Sequence, residues 1–445
     1  MGAQWIPLSV GAANLGELTL AREVIDLYVD GARGDPAAPY KKVALLAQIG
    51  AWEEVLALLR ALPTYLPDPA SYAYSRGTAA LYLGESGEAR EWLEKAVLLN
   101  PQAGSSWLSL ALLVNFADEA DLRDRIIGAE QGMARAPLNE RGIYYYALGK
   151  AYADLGEHAA AFAAYATGAG IMKPLVPYSR ERDRFTAADA VAGYDAGRIA
   201  RLAEQQGEPT GRSIFVMGLP RSGTTLVEQI LTSHSAVSDG AELYRLPLLV
   251  KDTGGLSFKA VEQFVLRGGA AAAARLWSHW LDERFPAPGR VVDKTLNTSR
   301  VLGLAATLLP EAPLVWLRRD PLDCAWSCFR SRFTGEAAWS HDLEDIAFHF
   351  RLEDDLLARW QEILGAKLLV VPLAGLTAEP ERWTRTILTH CGLPEELQVF
   401  APHENRRAVA TTSVMQVRKP INRAGIGSAE PYREFLQPFL KAYYG

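Results

Sequence analysis

Four short apolar runs mark the second half of the chain: 213–218 (SIFVMG), 290–293 (RVVD), 314–318 (LVWLR) and 368–372 (LLVVP). Their apolar positions are continuous and rich in β-branched and aromatic residues. That pattern belongs to strands of a parallel sheet covered on both faces. Between the runs, apolar residues recur at three- and four-residue spacing, which predicts helices over 224–233, 258–267, 271–284, 299–309, 321–331, 342–364 and 380–390. Strands alternating with helices define a doubly wound α/β region, in which ligands sit at the carboxyl ends of the strands.

The first 175 residues carry helical periodicity only, punctuated at a regular beat. Gly16, Gly50 and Gly84 are 34 residues apart, and Gly156 lies about two further units on, with a weak unit at 116–122 between them. Pro36, Pro69, Pro101, Pro137 and Pro174 keep the same beat. Each unit reads as a helix, a turn at the Gly, a second helix and a proline stop. The clearest is 70–101, with Leu81, Leu83, Gly84, Ala89, Leu93, Ala96 and Pro101. This unit resembles the tetratricopeptide repeat. Such pairs stack into a solenoid whose surface holds a peptide or protein segment. Tyr144, Tyr145, Tyr146 and Tyr152 read as packing residues first and groove residues second. The expected organisation is an all-α repeat region over 1–175, a helical linker over 176–210 with a helix at 187–206, and an α/β domain over 211–445.

Composition narrows the class. Hydrophobic residues make up 49% of the chain and charged residues 22%, ordinary for a globular protein. A net charge of −6 gives no reason to expect nucleic acid as a partner. Cys324, Cys328 and Cys391 cannot build a disulfide framework, and no Cys/His spacing suggests a metal site. They read as small buried side chains. The opening residues lack the basic and long apolar regions of a signal peptide, and no run approaches about 18 apolar residues. A reduced, cytoplasmic protein without membrane insertion is expected; its oligomeric state is not legible.

The chemistry concentrates at Gly218–Thr225, GLPRSGTT, between the first strand and its helix. The span equals that of the phosphate loop G-x-x-x-x-G-K-[ST], but Thr224 stands where the lysine of a triphosphatase belongs. First-turn N–H groups and the helix dipole still favour an anion. Gly223 permits close backbone approach, Ser222, Thr224 and Thr225 offer hydroxyls, and Arg221 offers a fork for phosphate or sulfate oxygens. At the end of the later strand, Arg319 points to the same crevice.

PRSGTTL resembles the 5′-phosphosulfate loop of the sulfotransferase family, whose members use 3′-phosphoadenosine 5′-phosphosulfate (PAPS) as sulfuryl donor. The stretch LVWLRRDPLDCAWS (314–327) resembles that family's second signature. Within the family, the chain is most similar to tyrosylprotein sulfotransferases and to bacterial sulfotransferases with tetratricopeptide repeats: His234, Gly240-Ala241-Glu242 and Val292-Asp293-Lys294 fall on their motifs. The resemblance implies an α/β, P-loop-like, three-layer parallel-sheet sulfotransferase domain behind the all-α repeat solenoid. It implies Glu242 as catalytic base, with Arg221, Lys294 and Ser428 as further catalytic groups. It implies Arg221, Ser222, Gly223, Thr224, Thr225 and Leu226 on the 5′ side of PAPS, and Arg319 and Ser327 on its 3′-phosphate, with Arg330 or Arg332 assisting. The stretch 416–428 resembles the family's final loop that wraps the nucleotide, which implies Arg418, Lys419 and Arg423 as further donor contacts.

Two family features are absent. The Tyr-Glu pair after the last strand is replaced by Leu373-Ala374, and no Trp follows Ser428. The sulfate-side serine position falls on Ser428 or is vacant at Gly427. The implied activity is sulfuryl transfer to a hydroxyl, foremost a protein or peptide tyrosine recruited by the repeats, and otherwise a small phenol, sugar or lipid. Two other readings are a decayed transferase kept as a repeat scaffold and a phosphotransferase, which the missing lysine disfavours.

Overall fold

The computed structural model describes residues 4–32, 34–333, 335–410 and 414–445. Its N-terminal part is a run of ten α-helices, from Trp5–Leu15 to His158–Leu175, with a 3₁₀ helix at Glu130–Arg135 among the described residues. The repeat glycines make the turns. Gly16, Gly50, Gly84 and Gly156 all have positive φ, between 75° and 92°, a region that Gly enters without the Cβ penalty. Two of the prolines start helices and do not stop them, while Pro101 follows the end of helix Ser86–Leu99 as expected. Pro69 is the first residue of helix Pro69–Leu83, and Pro137 caps Leu138–Asp154. A residue with fixed φ and no N–H fits a helix start, where that N–H has no partner. Pro174 does lie in the last turn of its helix.

The tyrosine cluster packs. Tyr144 and Tyr146 are buried, and the Tyr146 hydroxyl meets His341 Nδ1 at 3.0 Å, across to the C-terminal half. The stretch expected as one helix over 187–206 is two, Arg180–Val191 and Ala196–Ala203. Gly193, at φ 77°, separates them. Asp195 restarts the chain by capping Arg198 N. Ala187, Ala190, Tyr194, Ile199 and Leu202 from this segment join the main α/β core, with Phe215, Trp277 and Trp360.

That core surrounds a five-stranded sheet: β1 (Ser213–Gly218), β2 (Val237–Ala241), β3 (Arg290–Asp293), β4 (Leu314–Arg318) and β5 (Leu368–Pro372). The order is β2-β3-β1-β4-β5 and every pairing is parallel. β2 has no apolar run to announce it. Its sequence is VSDGA, it sits at the sheet edge, and its register shifts between Val237 and Asp239. The chain leaves β1 toward β2 on one side and β4 follows on the other. The end of β1 therefore faces a switch-point crevice. Among the described residues no helix is long and apolar enough to cross a membrane.

Candidate active site

Backbone geometry builds the loop after β1 first. Gly218 has φ 139°, and a Cβ there would lie 2.5 Å from the Leu317 carbonyl oxygen. Gly223, at φ 108°, caps helix Thr224–Thr232, and a Cβ on it would strike Leu373 at 2.8 Å. Arg221 adopts φ 69° between them. Beneath the loop, the thiols of Cys324 and Cys328 both donate to the Pro220 carbonyl, at 3.4 and 3.3 Å. Burial pushes the Cys328 thiol well up. These cysteines are inert supports, as their buried reading implies.

A cavity of about 430 Å³ opens over the loop, lined by Arg221, Gly223, Thr224, Thr225, Leu226, Arg319, Ser327, Arg330 and Lys419, among others. The two signatures meet here. Arg221 Nε donates to Ser327 Oγ at 3.1 Å, and Arg319 Nη1 donates to the Arg221 carbonyl at 2.9 Å. Burial, and then the like charges of Arg330 and Arg319, bring the Arg221 guanidinium down to about 10. Arg319 Nε is buried without a hydrogen-bond partner. Crowded cations, with the spare Arg319 Nε among their donors, beside a helix N-terminus fit a ligand that carries several anionic groups. Among the described residues, no cluster of side chains suited to a metal ion is found.

Of the expected groups, Ser222, Arg418 and Arg423 stand elsewhere, and Ser428 meets the site through Arg319. The Ser222 side chain is buried and lines a separate void of about 20 Å³ with Leu219 and Trp316, and its N–H donates to the Leu219 carbonyl at 3.1 Å. Ser428 Oγ accepts from Arg319 at 3.2 Å and lies 3.3 Å from Asp323, with no bond to Glu242 or Lys294. Arg418 reaches into the repeats, where Nη2 donates to the Tyr82 carbonyl at 3.0 Å. Arg423 is exposed and does not line the cavity.

Glu242 and Lys294 follow β2 and β3, the strands on one side of β1. Lys294 Nζ is 2.8 Å from Glu242 Oε1, and the Tyr244 hydroxyl donates to Glu242 Oε2 at 2.7 Å. Burial alone would push the Glu242 carboxyl up. The Lys294 charge and the two hydrogen bonds outweigh it and hold the group below its ordinary value. Burial works against the Lys294 charge too, but Glu228 and Glu242 raise it on balance. Glu228 Oε2 lies 3.8 Å from Lys294 and 2.8 Å from Arg407. Sequence reasoning missed Glu228, Arg407 and Tyr244. Glu228 did leave a signal, since it sits three residues before Leu231 on the helix's buried face. Arg407 left none, because its pairing is tertiary. His234, matched by resemblance only, is buried and held by the Pro394 carbonyl at 2.9 Å.

Tyr244 also lines a second cavity, of about 500 Å³, between helix Arg180–Val191, helix Leu246–Thr253 and helix Thr298–Leu308. Its walls include Tyr178, Leu246, Val250, Leu256 and Trp339. Asp183 fixes its floor. Its carboxylate is paired with Arg300 at 2.8 Å and His349 at 2.6 Å, and accepts from Tyr178 at 2.5 Å. Burial opposes the Asp183 charge, but these partners hold its pKa well down.

Residues 213–396 match the sulfotransferase family, and residues 70–102 and 143–171 match the tetratricopeptide repeat. An uncharacterized protein of Aquifex aeolicus (strain VF5) is 26% identical over 371 residues, covering 81% of this chain and 48% of that protein. The chain thus spans about half the length of that relative. The sulfotransferase domain from the Synechococcus PCC 7002 olefin synthase is similar at TM-score 0.37 and 18% identity, covering 53% of this chain and 97% of that one. Sulfotransferase STF9 from Mycobacterium avium is similar at TM-score 0.32 and 15% identity, covering 69% and 91%. The chain carries a sulfotransferase family domain behind a helical region with tetratricopeptide repeats.

Proposed function

We propose that the chain moves a sulfuryl group from PAPS to an acceptor hydroxyl, foremost a protein or peptide tyrosine. The observation that carries this reading is the contact of the two signatures, Arg221 on Ser327 and Arg319 on Arg221, around one cationic cavity at the end of β1. PAPS supplies the activated sulfuryl group. Arg221, Thr224, Thr225 and the backbone of the first turn hold its 5′ side. Arg319, Ser327 and Arg330 hold the 3′-phosphate, and Lys419 stands at the rim. Transfer of this kind asks the protein for placement and charge compensation above all.

Glu242 takes the acceptor's proton at a carboxylate oxygen that Lys294 and Tyr244 hold in place. A carboxylate below its ordinary pKa is a weak base. It suits a phenol, with pKa near 10, better than an alkanol. Lys294 balances charge on the oxygens in flight. The acceptor ring enters through the second cavity, whose Tyr178, Tyr244 and Trp339 walls suit a flat aromatic group. The repeats bring a protein acceptor to that opening.

The test is transfer from PAPS, followed by mass, with tyrosine peptides, free phenols, sugars and lipids as separate arms. Sulfation of tyrosine peptides supports the full reading. Sulfation of another arm alone replaces the acceptor, and transfer to none of them from a donor-bound protein rejects the enzyme.

A further inference from the structure

One wall of the donor cavity has no regular secondary structure. Half of its lining falls between Met415 and Ile426, a stretch of turns. Part of its apolar surface is shared with the repeats. Val414 and Val417, with Val409 upstream, are buried in the cluster that contains Leu59, Tyr72 and Leu81 of the repeats. The polar contacts agree. Val409 N and Arg418 Nη2 both donate to the Tyr82 carbonyl, each at 3.0 Å. That carbonyl lies in the last turn of helix Pro69–Leu83, where backbone oxygens have no partner within the helix. Arg418 lies flat on the next turn residue but one: a Cβ on Gly84 would come 2.5 Å from Arg418 Cζ. At the cavity side of the same stretch, Gln416 Oε1 accepts from Arg221 Nη2 at 3.1 Å, and the Gly425 carbonyl accepts from Arg319 at 2.5 Å.

We propose that Arg418 is a positioning residue for the donor site: it locks the 414–426 wall onto the repeat turn at Tyr82 and Gly84, so the repeat region forms part of the donor-binding apparatus. The inference rests on the donor reading above. It gives the repeats a second task besides meeting an acceptor, and it explains why Gly is needed at position 84 for two reasons at once. Positive φ makes the turn, and the absent Cβ makes room for the guanidinium.

Gly156 supplies an internal control. It has φ 75°, close to the 78° of Gly84, but a Cβ there would meet nothing within 4 Å. Gly84→Ala and Gly156→Ala therefore carry the same backbone strain, and only the first displaces Arg418. Affinity for adenosine 3′,5′-bisphosphate is measured by calorimetry on the full chain. Gly84→Ala and Arg418→Ala should each weaken it roughly five- to fiftyfold, while Gly156→Ala leaves it at the wild-type value. Arg418→Lys, which keeps one donor for the Tyr82 carbonyl, should fall between. The acceptor KM should stay near wild type in all four.

Equal affinities in Gly84→Ala and Gly156→Ala would overturn the proposal. If Gly84→Ala does not fold, a wild-type affinity in Arg418→Ala overturns it as well. Failure of the wild-type chain to bind the bisphosphate would instead reject the donor reading. The wall is then tested by hydrogen exchange over 414–421. Faster exchange in Arg418→Ala than in Gly156→Ala supports the lock, and equal exchange overturns it.

Discussion

Lys294 and Glu242 form a 2.8 Å ion pair at the ends of two adjacent parallel strands. The Lys294 side chain is 5% exposed and that of Glu242 30% exposed, so the lysine is fixed in the protein and the carboxylate reaches toward solvent. This asymmetry suits a charge anchor behind a proton acceptor. Glu242→Gln should lower turnover by about 10²–10⁴ and leave bisphosphate affinity nearly intact. Near-normal turnover in a folded Glu242→Gln protein would remove Glu242 from the mechanism.

Tyr244→Phe tests how the carboxylate is tuned. The Tyr244 hydroxyl is one of the bonds holding the Glu242 pKa down. Its loss should raise that pKa and move the acid limb of the kcat/KM profile to higher pH. An unmoved limb would show that another group sets it.

The same pair makes stability depend on pH in a fixed direction. The Glu242 pKa is lowered in the folded protein below its ordinary carboxyl value. Its contribution is therefore complete above the unfolded carboxyl pKa of about 4.3, and is lost as pH falls through the lower folded value. Glu242→Gln should flatten the acid side of a Tm-against-pH curve and leave the neutral region parallel to wild type. Identical acid slopes would contradict the pairing.

Arg319 joins three parts of the site: the Arg221 carbonyl, Gly425 and Ser428. Arg319→Ala should cost ~2–5 kcal/mol of bisphosphate binding, the range for truncating a buried hydrogen-bonded charge. Unchanged affinity would detach the second signature from the donor site.

Legibility in the sequence followed the range of the interactions. The apolar runs located β1, β3, β4 and β5 at the bounds observed, because burial on both faces writes itself into consecutive residues. β2 escaped because an edge strand of Val, Ser, Asp, Gly and Ala carries no such run. Short helices such as Leu373–Ala378 also escaped, having too few turns for a period to show. The loop residues were legible from spacing plus family resemblance. Glu228, Arg407 and Tyr244 join the site through pairings across the fold, which spacing does not encode. Arg418 was read as a nucleotide ligand for the same reason: a charge in a wrapping loop gives no sign that its partner is the Tyr82 carbonyl, 336 residues away.

Trp326 offers a test of the joint between the repeats and the donor site. It precedes Ser327 on helix Pro321–Phe329 and is fully buried, with the ring of Phe162 stacked at 6.3 Å and that of Tyr432 at 3.8 Å. Tyr165 meets it edge-on at 5.6 Å. Trp326→Ala removes the ring from both halves of the protein and should cost ~3–5 kcal/mol of stability. The indole Nε1 is buried without a hydrogen-bond partner, so the nitrogen contributes nothing that the ring does not. Trp326→Phe keeps an aromatic face and discards an unsatisfied donor, whose burial itself costs about 1–3 kcal/mol. It should therefore be far less harmful than Trp326→Ala. Denaturant titration of both variants checks this, and a Phe variant as unstable as the Ala variant would mean that the indole N–H has a partner.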